Sequence, residues 1–291
     1  VSAQAEATTP RRPLLRYHGG KWRLGPWIIS HFPAHHKMYT ESYGGGGSVL
    51  LRKPRAPVEV YNDLDGEIVN LFRVLRNPAQ ARELMRLLRL TPYAREEYDE
   101  SWLTDGDPVE QARRTLVRSW MSFSASGASG QWRSGFRAVS NYARSQTPAD
   151  DWAGLPGAME VIVERLRGVT IEQLPALDML RKYDTPATLH YVDPPYIATS
   201  RGERWGQSQK AYRFEMSDDD HRELAACLHE LQGAVVLSGY PSDLYDELYA
   251  DWPQAIKAAH ADGGGVRTEV LWLKPGPAIL QPRLLSEGEP P

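Results

Sequence analysis

The chain reads as an α/β protein, a doubly wound sheet with helices between its strands, and three observations carry that reading. Short apolar runs of strand length recur at Met38, Val58, Leu189, Ala234 and Thr268, separated by amphipathic stretches at helical spacing. Several of these runs stop at glycines, an acid or prolines, as strands do at the ligand-binding edge of an open sheet. The composition, 41% hydrophobic and 24% charged, is that of a soluble globular protein, and 291 residues allow one large domain or two smaller ones.

Residues 1–13 are small and polar and read as a flexible tail. Tyr17-His18-Gly19-Gly20-Lys21 follows, then a helix-like stretch from Trp22 to Phe32. Two glycines and a lysine at a helix start can bring backbone N–H groups and an ammonium to an anionic group, although a plain turn has the same composition.

Met38 to Thr40 reads as a strand and Ser48-Val49-Leu50-Leu51 as a helix start, with Glu41-Ser42-Tyr43 and four glycines, Gly44 to Gly47, between them. Such glycines let a backbone approach a ligand closely. The run matches neither the dinucleotide fingerprint nor a phosphate loop, because no Gly-Lys-Ser/Thr follows. Val58 to Asn62 is a second strand, ending at Asp63. An acid there can take both hydroxyls of a ribose or cap the next helix, whose Leu64, Ile68, Leu71, Phe72 and Leu75 share a face up to Asn77-Pro78.

The distance from Gly47 to Asp193 exceeds what crossovers need. An inserted segment over 77–158 is therefore expected, opening with helices near 78–90, 94–103 and 108–122, the last with Pro108 in its first turn after Asp107. Between Gln111 and Ala149 there is no Asp or Glu, but there are six arginines: Arg113, Arg114, Arg118, Arg133, Arg137 and Arg144. Trp120, Phe123, Trp132, Phe136 and Tyr142 are interleaved with them. In a chain of net charge −3 this is a local basic surface, and arginine suits bidentate contacts to phosphate and guanine. Arg118, Trp132, Arg133, Arg137 and Arg144 are the candidate nucleic-acid contacts. Pro156 to Gly168 reads as a returning helix. Thr170 to Leu180 reads as a strand, loop and helix from which Gln173, Leu174 and Asp178 could reach a nucleoside.

Leu189 to Val192 is a buried-type strand that stops at Asp193-Pro194-Pro195-Tyr196. The prolines cannot continue a sheet, so Asp193, the Pro194 carbonyl and the Tyr196 ring are held together at one lip. Carboxylate and carbonyl can each accept one hydrogen of an exocyclic amine, and the ring can lie on the face of a flat heterocycle. Ala198 to Phe214, with Arg201, Arg204 and Arg213, has the length of an active-site loop. Ser217 caps a helix carrying Leu224, Leu228 and Leu231 that Gly233 stops; Ala234 to Leu237 is a strand opening at Ser238-Gly239-Tyr240; Thr268 to Lys274 is the last strand. Cys227, the single cysteine, excludes an internal disulfide and a cysteine-based zinc cluster and reads as a packing residue. No apolar run approaches about 18 residues and no signal-peptide pattern is present, so no membrane partner and a reducing, cytoplasmic setting are expected.

In this order, Tyr17-His18-Gly19-Gly20-Lys21, Glu41-Ser42-Tyr43-Gly44-Gly45-Gly46-Gly47-Ser48-Val49, an insert and Asp193-Pro194-Pro195-Tyr196, the sequence resembles the Dam-like (alpha-group) DNA adenine-N6 methyltransferases. Glu269-Val270-Leu271-Trp272 also looks like that family's closing strand. The resemblance implies a Rossmann-like, S-adenosyl-L-methionine-dependent methyltransferase fold. Its catalytic domain would span 14–76 and 159–276, its mainly helical target-recognition lobe 77–158, and a second flexible tail 277–291. It implies that Tyr17 and Lys21 hold the methionine end of S-adenosylmethionine. Tyr43, Gly45 and Gly47 would form the cofactor loop beneath Glu41, and Asp63 would bind the ribose; Leu174, from its own stretch, is a further candidate beside the nucleoside. Asp193, Pro194 and Tyr196 would bind a flipped adenine, with Asp193 also bordering the cofactor. Double-stranded DNA is the implied partner, in a bacterial or phage-infected cell, and no metal is implied. The family usually has non-glycine residues at 44 and 46, which makes this loop a softer one. The same site would serve an RNA adenine or DNA cytosine-N4 methyltransferase, and the same scaffold a non-catalytic DNA-binding protein. Recognition sequence and oligomeric state stay open.

Overall fold

The computed structural model describes residues 9–104, 106–129, 133–138, 147–197, 213–260 and 266–276. Its strands are β1 (Met38–Glu41), β2 (Val58–Asn62), β3 (Val169–Glu172), β4 (Thr188–Val192), β5 (Ala234–Gly239), β6 (Gln254–His260) and β7 (Val266–Lys274). They form one sheet in the order β3-β2-β1-β4-β5-β7-β6. The pairs from β3 to β5 are parallel, and β7 runs antiparallel between β5 and β6. The chain steps from β1 towards β2 and β3 on one side and from β4 towards β5 on the other. A crevice at the carboxyl ends of β1 and β4 follows from that reversal.

Strand alternation divides the core. Tyr191, Val236 and Leu271 face one apolar cluster, while Val192, Val235, Leu237, Val270 and Trp272 face another, so the sheet is covered on both sides. The second cluster is closed by α9 (Ala176–Lys182), α10 (Asp218–Glu230) and α11 (Asp243–Leu248). Ser217 caps α10 in a reciprocal pair with Asp220, as its sequence predicts. The first cluster takes α1 (Gly25–Ser30), α2 (Ser48–Arg52) and α3 (Gly66–Arg76). Helix α1 is shorter than the predicted Trp22–Phe32, because Lys21 to Leu24 forms a turn ahead of Pro26.

Helix α3 starts later than its apolar pattern suggests. Asp65, not Asp63, caps it, accepting from Glu67 N–H, and Leu64 lies outside the helix, partly exposed. Asp63 is thereby left for the crevice. The stretch between β2 and β3 continues as α4 (Pro78–Leu90), α5 (Arg95–Glu100), α6 (Pro108–Met121), α7 (Pro148–Ala153) and α8 (Leu155–Leu166). Asn77 and Asp107 cap α4 and α6, each followed by a proline in the first turn. Leu84, Leu116, Trp152 and Met159 of these helices belong to the same cluster as Tyr39 and Tyr191 of the sheet, so this segment shares its core with the strands. The amino-terminal segment is clamped to α6 as well. Trp120 Nε1–H donates to the Leu14 carbonyl, and Arg16 N–H donates to Ser119 Oγ.

Strand β6 has no signal in the sequence. Gln-Ala-Ile-Lys-Ala-Ala-His is poor in β-formers and sits at the sheet edge, where Ile256 is exposed. The predicted tails, apart from Thr9 to Pro13, and residues 198–212 of the predicted loop lie outside the described residues.

Candidate active site

A cavity of about 480 Å³ opens at the carboxyl ends of β1 and β4, lined by Tyr17, Lys21, Glu41, Tyr43, Gly45, Asp63 and Asp193 among others. Seven of the site residues expected from the sequence are thus brought together from four separate stretches.

The glycine turn after β1 forms its floor. Gly44 N–H donates to the Asn62 carbonyl and Gly47 N–H to the Gly44 carbonyl, both at 2.8 Å. Gly45 and Gly47 have φ of 47° and 62°, a region in which L side chains are strained. Gly44 is needed for space instead: a Cβ there would stand 2.2 Å from the Tyr61 ring, which stacks on Phe72 at 4.1 Å. The turn is therefore not a soft one, since Tyr61 fills the room that a side chain at 44 would take and its hydroxyl donates to the Gly45 carbonyl. Gly47 lies over Phe72, beneath the turn and outside the cavity lining.

Asp63 reaches this floor from the end of β2. Its Oδ2 accepts from Gly45 N–H at 2.7 Å and its Oδ1 from Asp65 N–H at 2.8 Å. Its carboxylate lies on the cavity wall, where it can still accept from a vicinal diol. Burial raises its pKa, against backbone bonds from Asp65, Gly45 and Leu64. Glu41 is buried, its Oε2 accepting from Tyr39 Oη and Leu50 N–H at 2.8 Å each. Burial pushes its carboxyl up to about 8, which those bonds only partly offset and nearby Asp193 reinforces. Asn62 braces the other wall: it donates to the Ser42 and Leu174 carbonyls and accepts from Leu174 N–H. Leu174 is held there by its backbone. Of Gln173, Leu174 and Asp178, only Asp178 lines the cavity.

Asp193 is fixed at both oxygens. Lys21 Nζ lies 3.0 Å from Oδ2, and Ser238 Oγ–H donates to Oδ1 at 2.9 Å. Lys21 also donates to the Gly19 carbonyl and sits 4.6 Å from the centroid of the Tyr196 ring. Tyr196 is buried, packed edge-on against Tyr240, and its hydroxyl donates to Glu269 Oε2 at 3.1 Å. Pro194 is buried as well, and of this stretch Asp193 and Pro195 line the cavity while Pro194 and Tyr196 lie behind them. A hydroxyl–imidazole–carboxylate line elsewhere in the sheet, Thr40, His190 and Asp184, resembles a nucleophilic triad. Thr40 and His190 are wholly buried within β1 and β4, and neither lines the cavity.

The arginines divide. Arg118 is not at a DNA-facing surface: it is 3% exposed and its guanidinium binds the Ser101 carbonyl and Glu67. Its position on the inner face of α6, packed on α3, explains the difference. Arg133 is half exposed and pairs with Asp99, and Arg137 lies 3.6 Å from Asp151. Trp132 and Arg144 lie outside the described residues.

Ser238 and Glu269 are site residues that sequence reasoning did not assign, although both stand in stretches it singled out. Asp65, Glu67 and Arg213 form a further linked group at the cavity rim, Arg213 bonding Asp65 at 2.9 Å and Glu67 at 3.1 Å. Among the described residues no cluster of His, Cys, Asp or Glu is arranged to hold a metal, and no helix is long and apolar enough to cross a membrane.

A sequence model of the family described as D12 class N6 adenine-specific DNA methyltransferase matches residues 17–261. No curated protein matches the chain.

Proposed function

The chain belongs to the D12 class of N6 adenine-specific DNA methyltransferases, and we propose that its reaction takes place where Asp193, at the head of the Asp193–Tyr196 stretch, opens onto the cavity. It is an α/β methyltransferase that uses S-adenosylmethionine and modifies adenine in DNA. The observation that carries the assignment of residues is the shared cavity: the doubly held Asp193 opens onto the same space as the glycine turn and Asp63.

The residues fit the cofactor. Asp63 would take the ribose hydroxyls, with Gly45 and Tyr43 beside it, and Tyr17 and Lys21 would face the methionine end. Glu41 adds a buried carboxyl on the same wall. When bound, S-adenosylmethionine supplies an electrophilic methyl on a sulfonium.

What the protein contributes is positioning and charge. The adenine amine is a poor nucleophile because its lone pair is delocalised into the ring. Hydrogen bonds from its two hydrogens to Asp193 and the Pro194 carbonyl favour a pyramidal nitrogen and stabilise the positive charge that develops there. The amine would share Asp193 with Lys21, which holds Oδ2, and approach Oδ1, which also accepts from Ser238. A base stacked in a duplex cannot reach this position, so it is flipped out, and the Tyr196 ring replaces part of the lost stacking.

Residues 14–76 and 159–276 are assigned to a Rossmann-like catalytic domain and 77–158 to the target-recognition lobe. Arg133 and Arg137, with Trp132 and Arg144, would bind double-stranded DNA, in the nucleoid or on phage DNA. Replacing Asp193 by alanine tests the reading. Methylation is expected to be lost while S-adenosylmethionine still binds; a folded variant that loses both would contradict it.

A further inference from the structure

The new positive charge on the methylated amine is relieved by loss of a proton, and Asp193 is the adjacent base in the assignment above. A protonated Asp193 could not receive the next adenine in the same way, so the proton has to leave. It cannot pass to Lys21, whose ammonium carries donors only. On the other oxygen the path is open. Asp193 Oδ1 is 2.9 Å from Ser238 Oγ, Ser238 Oγ is 3.3 Å from Tyr196 Oη, and Tyr196 Oη is 3.1 Å from Glu269 Oε2. Two hydroxyls, each able to take one proton while giving up another, thus join the reacting carboxylate to a second carboxylate. The antiparallel pairing of β5 with β7 sets Ser238 opposite Leu271, which puts Glu269, two residues along, on the same face of the sheet.

We propose that Ser238, Tyr196 and Glu269 form a proton relay that clears Asp193 after each methyl transfer. It rests on the reading of Asp193 as the acceptor of the adenine amine. In the step, the N6–H bond breaks and its proton joins Asp193 Oδ1. Asp193 passes a proton to Ser238 Oγ, Ser238 passes its own to Tyr196 Oη, and Tyr196 passes its own to Glu269 Oε2. Both hydroxyls end as they began, Asp193 is a carboxylate again, and Glu269 is a carboxylic acid that returns the proton to water between turnovers. The groups facing Glu269 are Lys21 and Arg267, which favour its ionised form, Asp193, which opposes it, and the Tyr196 hydroxyl. Burial outweighs the cations and raises its proton affinity, as a receiving group requires.

The relay acts after the methyl has moved, which separates it from a merely positioning role. The experiment compares the first-turnover rate with the steady-state rate on unmethylated genomic DNA, using labelled S-adenosylmethionine and the full chain. Glu269→Gln is expected to keep the first-turnover rate within about twofold, while the steady-state rate falls roughly tenfold or more with a larger effect of heavy water. Ser238→Ala is expected to lower the ratio of steady-state to first-turnover rate, and Ser238→Thr, which restores a hydroxyl, to recover it. Equal falls in both rates, or an unchanged ratio in Glu269→Gln, would overturn the relay. An Asp193→Asn protein that methylates as fast as the unaltered one would instead overturn the reading of Asp193 beneath it.

Discussion

Lys21 and Asp193 are paired at 3.0 Å in the wall of the cavity, and the same ammonium lies over the Tyr196 ring. The lysine comes from the stretch before α1 and the carboxylate from the end of β4, so two distant motifs meet at one charge pair. Hydrogen bonds to charged groups contribute about 1.5–3 kcal/mol. Lys21→Met is therefore expected to slow methyl transfer on the order of tenfold to a hundredfold. Cofactor affinity, measured by calorimetry, is expected to change less. If affinity alone changed, Lys21 would serve the methionine end only, as the family resemblance implies.

The contact between Gly44 and Tyr61 predicts a paired effect. Gly44→Ala sets a Cβ against a ring locked on Phe72, and overpacking of this kind costs about 1–3 kcal/mol. Adding Tyr61→Leu to that variant is expected to recover part of the loss. Thermal melts of the two single variants and the double variant measure the coupling.

Arg118 and Arg133 are expected to behave in opposite ways. Removing Arg118 takes one of the two arginines from Glu67, which keeps Arg213, and the donor from the buried Ser101 carbonyl, a loss of about 1–3 kcal/mol. Arg118→Ala is expected to lower the melting temperature, with no specific change in the salt dependence of DNA binding. Arg133→Ala is expected to melt normally, to weaken DNA binding more than cofactor binding, and to reduce the slope of log affinity against log salt by about one. Binding titrations at several salt concentrations check both.

Glu41 gives a pH prediction. Its folded pKa, raised to about 8, exceeds the ordinary 4.5. Below 4.5 the group is protonated in both folded and unfolded chains. As pH rises from there towards 8 only the unfolded chain ionises, so the folded state loses stability, by about 1.4 kcal/mol per unit of separation. Glu41→Gln is expected to melt higher than the unaltered protein at pH 8, with the difference shrinking towards pH 5. A constant difference across that range would show that Glu41 does not titrate in this way.

Much of this site was legible because its residues sit at strand ends marked by unusual neighbours. The glycine run after Glu41 and the double proline after Asp193 announce the carboxyl edge of a sheet, and Asp63 stands where a second strand stops. Ser238 and Glu269 are different. Each is ordinary in its own stretch, and only the antiparallel pairing of β5 with β7 brings them to Tyr196. Arg118 misled because composition reports charge but not helical phase; its inner position follows from how α6 packs on α3. Strand β6 was invisible because an edge strand paired on one side does not need an apolar pattern.

The most direct test of the central claim is methyl transfer from labelled S-adenosylmethionine to unmethylated genomic DNA, followed by mass spectrometry of the released nucleosides and methylation-aware sequencing. N6-methyladenine at a defined short motif, absent with the Asp193→Ala protein, is the predicted result. N4-methylcytosine in place of N6-methyladenine, or methylation that survives Asp193→Ala, would contradict the account.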